Sequence, residues 1–279
     1  MPSTGTVLDA IITGVREDVE ERRARTGARE LEHRAAGRTA ALDAAAVLRA
    51  DTSTLGLIAE VKRASPSKGH LADIPDPAAL AAIYAEAGAN VISVLTERRR
   101  FRGSLDDLDA VRARVDIPVL RKDFIVDPYQ VLEARAHGAD LVLLIVAALE
   151  DAQLAELAAQ IDALGMQALV EVHDLAELER AVHLTTPLIG VNARDLTTLE
   201  VHPDRAAAVL REVPADRLAI GESAVADRED AEAYADAGAD AVLVGEALVT
   251  GADTPATVRS FRSVPRRGRP HDTATGGTP

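Results

Sequence analysis

The sequence predicts an α/β protein, a single (β/α)8 (TIM) barrel with an extra N-terminal helical segment. Three observations carry that expectation. From Leu55 onward, eight short apolar runs alternate with longer helical patterns, the order of parallel strands joined by crossover helices. The segments EAGANVISVL (86–95), AHGADLVLLI (136–145) and DAGADAVLVG (236–245) repeat a helix end, a glycine and a buried strand. Their glycines, Gly88, Gly138 and Gly238, are separated by 50 and then 100 residues, one and two pairs of βα units. Such repetition with eight strands favours a closed barrel over an open doubly wound sheet.

In order, Val7 to Arg25 reads as a charged amphipathic helix, with Val7, Leu8, Ile11, Ile12, Val15 and Val19 on one stripe. Residues 28–50 continue as helix-prone but irregular chain, so 1–50 is expected as a helical extension packed on a barrel spanning 51–262. The strands are expected at 56–62, 90–96, 117–122, 140–146, 167–172, 187–192, 217–222 and 240–246. Helices fall between them, several opened by an Asp or Ser that can cap the first turn. Residues 263–279 are rich in Pro, Gly, Thr and Arg without an apolar pattern, and are expected as a disordered, solvated tail.

Composition narrows the function. With 47% hydrophobic but only 2% aromatic residues and no Trp, the core must be built from Ala, Leu, Val and Ile. A formal charge of −14 argues against a nucleic-acid or acidic-membrane partner, while leaving room for a local cationic pocket. There is no cysteine, hence no disulfide, no thiolate nucleophile and no Cys-based zinc site. No signal peptide is visible, and the longest greasy run, 141–149, is too short to span a bilayer. The expectation is a soluble, cytoplasmic protein, a monomer by default.

Barrel enzymes place reacting groups at the carboxyl ends of strands. Those positions hold Glu60 and Lys62 after strand one, Lys122 after strand three, and Glu171 on strand five. Asn192 and Arg194 follow strand six, and Glu222 and Ser223 end strand seven. Alternation puts Glu60 and Lys62 on the same side of their strand. Charges at four strand ends are costly to desolvate unless paired or used, so these are candidate catalytic residues. Two lysines and several carboxylates in one mouth shift each other's proton affinities, which makes acid and base roles available. The seven histidines are scattered; His173 alone lies just past a strand end, and it is expected to cap or line a loop. No metal or cofactor is expected.

Two features shape the ligand. The turns GESAV (221–225) and VGEAL (244–248) each lead from a strand into a helix start, where backbone N–H groups bind phosphate. Phe101 and Phe124, in the loops after strands two and three, could line an apolar slot for a flat ring with Pro66, Leu143 or Leu144, and Leu196.

IAEVKRASPSKG (58–69), VLTERRRFRGSLDDL (94–108), PVLRKDFIVDPYQ (118–130), LLIVAAL (143–149), LVEVHD (169–174), IGVNARDL (189–196) and the GES and VGEAL turns together resemble the indole-3-glycerol-phosphate synthase family of tryptophan biosynthesis. The likeness runs from Val7 to about Phe261 and includes the helix before the barrel. It implies a carboxy-lyase that closes the indole ring of 1-(2-carboxyphenylamino)-1-deoxyribulose 5-phosphate, releasing carbon dioxide and water. By the resemblance, Lys122 is the general acid on the ribulose carbonyl. Lys62 and Glu171 donate protons in the dehydration, and Glu60 is base and stabiliser of the cationic intermediate. Asn192 positions either the sugar hydroxyls or Glu171, and Arg194 and Ser223 complete a polar wall. Which lysine serves which step stays open, and Lys62 is also a candidate phosphate contact. Ser65, Pro66, Phe101, Phe124, Leu143, Arg194, Leu196 and Glu222 are expected to hold the substrate. Ser223, Ala224, Gly245 and Glu246 are expected around the phosphate, Glu246 through its amide and not its carboxylate.

One departure is Ala224, where the family commonly has glycine. The loop is expected to adopt a conformation that alanine tolerates. Three other readings are a phosphosugar isomerase, which would need neither the lysine-rich mouth nor a flat-ring slot, a barrel that binds without turnover, and an interaction scaffold.

Overall fold

In the computed structural model, which describes residues 5–269, the first element is α1 (Val7–Arg25). Thr6 starts it through a reciprocal cap: Thr6 Oγ1 accepts from Asp9 N at 3.2 Å, and Asp9 Oδ2 accepts from Thr6 N at 3.1 Å. Leu8, Ile11, Val15 and Val19 are buried in one stripe. Each contributes roughly 1.5–3 kcal/mol by leaving water. Ion pairs fix the helix laterally. Asp18 meets Arg98 at 2.7 Å and Arg99 at 2.9 Å. Arg22 forks onto the buried Glu133, donating at 2.6 and 3.0 Å. The irregular stretch that follows resolves into α2 (Ala28–Ala36) and α3 (Ala44–Arg49), the latter capped by Asp43.

Eight parallel strands close into a barrel: β1 (Gly56–Val61), β2 (Val91–Leu95), β3 (Val119–Lys122), β4 (Leu141–Ile145), β5 (Gln167–Val172), β6 (Leu188–Asn192), β7 (Leu218–Glu222) and β8 (Ala241–Val244). Each pairs with its sequence neighbours, and β8 closes onto β1. Around them run α4 (Pro77–Glu86), α5 (Leu105–Arg112), α6 (Pro128–Ala136), α7 (Asp151–Ala163), α8 (Leu175–Ala181), α9 (Pro203–Glu212), α10 (Arg228–Asp236), α11 (Glu246–Thr250) and α12 (Thr254–Arg262). Asp76, Ser104, Asp127, Asp174, Asp227 and Asp253 cap six of these, each accepting a backbone N–H. Two small elements lie in the loops after strands, the second where the VGEAL turn led the sequence to expect a helix start. One is a hairpin in the loop after β1, where Ala64–Ser65 pairs antiparallel with Gly69–His70. The other is α11, a single short turn after β8.

The repeat has a physical meaning. Gly88, Gly138 and Gly238 take φ of 109°, 80° and 93°, the left-handed stop that glycine allows at a helix end. Two residues on, Asn90, Asp140 and Asp240 each accept the backbone N–H at the start of the preceding strand. Leu57 N donates to Asn90 Oδ1 at 2.9 Å, Val119 N to Asp140 Oδ2 at 2.8 Å, and Ala219 N to Asp240 Oδ2 at 2.7 Å. The repeated motif therefore stops a helix and ties two strands together at the lower rim. The upper rim, where strands end, is left free for chemistry.

The carboxyl-terminal segment corrects the expected tail. Val264 is buried, and its carbonyl accepts from Leu55 N at 2.8 Å. Arg266 and Arg269 both reach the fully buried Asp240, Arg269 at 2.7 Å. Composition hid this because arginines read as solvent-seeking, while their counter-charge lies at the start of β8. The strap therefore runs to Arg269, and the rest of the expected tail, 270–279, lies outside the described residues.

Candidate active site

The carboxyl ends of the strands surround a cavity of about 380 Å³. Of the candidate site residues, Glu60, Lys62, Ser65, Pro66, Phe101, Lys122, Phe124, Leu143, Glu171, Asn192, Arg194, Leu196, Glu222, Ser223, Ala224, Gly245 and Glu246 line it, while Leu144, the alternative to Leu143, is fully buried and does not. Strand periodicity accounts for the convergence, since each sits on the inward side of a final strand residue or in the loop just beyond.

Lys122 occupies the centre of the polar set. Its Nζ lies 3.4 Å from Glu171 Oε2 and 3.3 Å from Glu222 Oε2. Burial alone would lower its pKa, but Glu222, Glu171 and Glu60 outweigh burial and hold it above the usual lysine range. Glu222 is pushed up to about 8 by burial and by the neighbouring Glu171, against the pull of Lys122. Burial also acts to raise Glu171, but Lys122, His173 and the Asn192 hydrogen bond prevail and keep it low. Of these two neighbouring carboxyls, Glu171 is held low and Glu222 pushed up, so Glu222 is the one that takes a proton first. Among the described residues, neither Glu222 oxygen makes a well-formed hydrogen bond, and the charge it faces is the Lys122 ammonium at 3.3 Å.

Asn192 organises the next layer. It donates to Glu171 Oε1 at 3.0 Å and accepts from Ser223 Oγ at 2.7 Å and Arg194 N at 2.9 Å. Of the two tasks left open for Asn192, this geometry favours orienting Glu171. Arg194 donates to Leu199 O at 2.9 Å, closing the loop after β6 so that Leu196 lies against the core. Across the barrel, Lys62 Nζ lies 3.2 Å from Glu60 Oε1, the same-side placement expected from alternation.

The apolar side is equally built. Phe101 and Phe124 stand 6.1 Å apart between ring centroids, tilted by 40°. Phe101 is held there by Glu97, a buried carboxylate that accepts from the backbone N–H groups of Arg99, Arg100 and Phe101 at 2.9, 2.7 and 2.9 Å. On the other side, Ser223 and Ala224 take φ of 64° and 52°. This corrects the expectation for Ala224: the loop keeps the left-handed form that favours glycine, at a cost of roughly 1–2 kcal/mol for alanine. Tyr234 holds that turn by donating to Ser223 O at 3.1 Å. Lys68 reaches over the mouth to pair with the Glu246 carboxylate at 2.5 Å.

Several contributors escaped the sequence. Ser93, paired in register with Glu60, donates to it at 3.3 Å; a serine inside a greasy strand was the available signal. Gly190 has no side chain because Glu222 occupies the space, a Cβ there lying 2.1 Å from its Oε1; Gly245, expected only at the phosphate, likewise makes room for Glu60, whose Oε1 would be 2.6 Å from a Cβ. Ile11 of α1 lines the cavity, which no local pattern announces. His173 does more than line a loop, since its Nε2 lies 3.5 Å from Glu171 Oε1.

The family model for indole-3-glycerol phosphate synthase matches residues 8–261. The chain belongs to the indole-3-glycerol phosphate synthase family. It is 57% identical over 255 residues to the indole-3-glycerol phosphate synthase of Mycolicibacterium vanbaalenii, covering 91% of this chain and 93% of that one. It is 59% identical over 252 residues to indole-3-glycerol phosphate synthase 1 of Streptomyces coelicolor, covering 90% and 93%. Among solved structures it is similar to a crystal structure of 3-hexulose-6-phosphate synthase, with a TM-score of 0.62 at 18% identity, covering 75% of this chain and 99% of that one. That likeness is one of barrel fold. Among the described residues, no helix is long and apolar enough to cross a membrane.

Proposed function

We propose that this cavity closes the indole ring of 1-(2-carboxyphenylamino)-1-deoxyribulose 5-phosphate, yielding indole-3-glycerol phosphate, carbon dioxide and water. The observation that carries the reading is Lys122, an ammonium buried between Glu171 and Glu222, with an aromatic slot on one side and two small-residue turns on the other. Family membership supports the same reaction.

The substrate ring lies in the slot of Phe101, Phe124, Leu143 and Leu196, and the phosphate at the Ser223–Ala224 and Gly245–Glu246 turns, with Lys62 and Ser65 facing it. As the ring carbon attacks the ribulose carbonyl, that oxygen becomes an alkoxide, and Lys122, always loaded between its carboxylates, gives it a proton. Glu60 stabilises the positive charge left on the ring system. Carbon dioxide then leaves and its bonding pair restores the aromatic ring. The new hydroxyl departs as water, taking a proton from Lys62 or from the Glu171–Glu222 pair. A final proton leaves the carbon beside the nitrogen, with Glu60 as base, and the indole is complete. Asn192, Ser223 and Arg194 keep Glu171 aimed throughout.

The test is indole fluorescence on mixing purified protein with the substrate. The chain has no tryptophan, so its own background is low. A rise is expected, and Lys122→Ala should slow it by at least about 100-fold, the usual scale for a positioned acid. Substrate binding without any fluorescent product would overturn the reading, and normal turnover by Lys122→Ala would remove Lys122 from it.

A further inference from the structure

His173 is buried just past the end of β5, and nothing in the ring-closing steps uses it. Both of its ring nitrogens face carboxylates. Nδ1 lies 3.0 Å from Glu177 Oε2, and Nε2 lies 3.5 Å from Glu171 Oε1. The same Glu177 oxygen accepts the His173 backbone N–H at 2.8 Å, so the residue is held at two points. A neutral imidazole carries one N–H and would turn its lone pair on the second carboxylate. Nε2 makes no hydrogen bond to Glu171, so what it brings to that carboxylate is charge: the imidazolium sets a cation 3.5 Å from Glu171 Oε1, where the neutral ring would set a lone pair.

We infer that His173 is a charged positioning residue for Glu171, anchored from the rim by Glu177. The inference rests on the proposed role of Glu171 in proton transfer. The charged groups that face His173 are Glu171 on β5, Glu177 on α8 and Glu222 on β7. Burial works against its charge, yet these carboxylates raise its pKa above the ordinary histidine value. The consequence reaches the reaction through Glu171. A second cation beside Glu171 keeps that carboxylate ionised, so Glu222 is the one of the pair that takes a proton first, and Glu171 stays free to hold Lys122. Without the imidazolium, the pair binds its protons more tightly, and both limbs of its titration move to higher pH.

The test is the pH profile of kcat/KM for His173→Gln, Glu177→Gln and the wild-type chain. Both limbs are expected about one pH unit higher in His173→Gln, the scale of a neighbouring charge. Glu177→Gln keeps an oxygen for the His173 backbone and removes only the anchoring charge, so it should move the limbs the same way by less. A profile that stays in place in both variants would overturn the inference, as would a loss of activity equal at every pH. Glu171→Gln is measured alongside. If it retains full activity, the role of Glu171 fails by itself. If it is inactive while the other two profiles stay in place, only the inference about His173 fails.

Discussion

Glu222 Oε1 fills the space that a side chain at Gly190 would need: a Cβ there would lie 2.1 Å from it. Gly190 stands on β6 directly across from Glu171, so its missing side chain makes room for one carboxyl beside another. The expected result of Gly190→Ala is a folded barrel in which Glu222 is displaced from Lys122. A misplacement of about 1 Å in such a set costs up to ~100-fold in rate. Steady-state fluorescence assays with circular dichroism as the fold control would measure it. Unchanged kcat would mean that Glu222 can move without consequence.

Ala224→Gly should act in the opposite direction. At φ 52° alanine carries a strain that glycine lacks, so the variant should be more stable by roughly 1 kcal/mol. Urea denaturation reads the gain as a higher midpoint with an unchanged slope. Because the turn borders the proposed phosphate site, KM should fall rather than rise. A less stable variant would show that the loop does not bear strain at this residue.

Glu222 also makes stability depend on pH. Burial and the neighbouring Glu171 push its carboxyl up to about 8 in the folded chain, from about 4.3 when unfolded. Between those values the folded state holds a proton that the unfolded state has lost, so stability declines as pH rises through that window. Glu222→Gln has no such proton to lose. Thermal melts from pH 5 to about 8 should therefore show the variant gaining on the wild-type chain as pH rises. Parallel curves for the two would place the titration of Glu222 elsewhere.

What the sequence made legible follows from what is local. Strands, crossover helices and the strand-end residues obey periods of two and 3.6, so Glu60, Lys62, Lys122, Glu171 and Glu222 could be placed at one mouth from spacing alone. The Gly-Ala-Asn/Asp repeat was visible as a repeat, but its purpose was not. The bond from Leu57 N to Asn90, or from Ala219 N to Asp240, joins residues that only the closed sheet brings together. The same limit hid Ile11, Gly190 and Glu97, whose roles depend on neighbours far along the chain or on a loop's path. Ala224 was judged by residue preference, and the loop overrode it, held by Tyr234 from α10.

The strap that ends at Arg269 separates two boundaries. The match to the family model ends at Phe261, whereas the folded body continues to Arg269. A protein trimmed to the end of that match would keep every residue that touches the cavity. It would lose Arg266 and Arg269, leaving Asp240 as a buried charge without its two cations, a defect worth about 3–5 kcal/mol. The boundary for a tag, a fusion or a minimal version of this enzyme is therefore set by one aspartate at the foot of β8, and lies past Arg269.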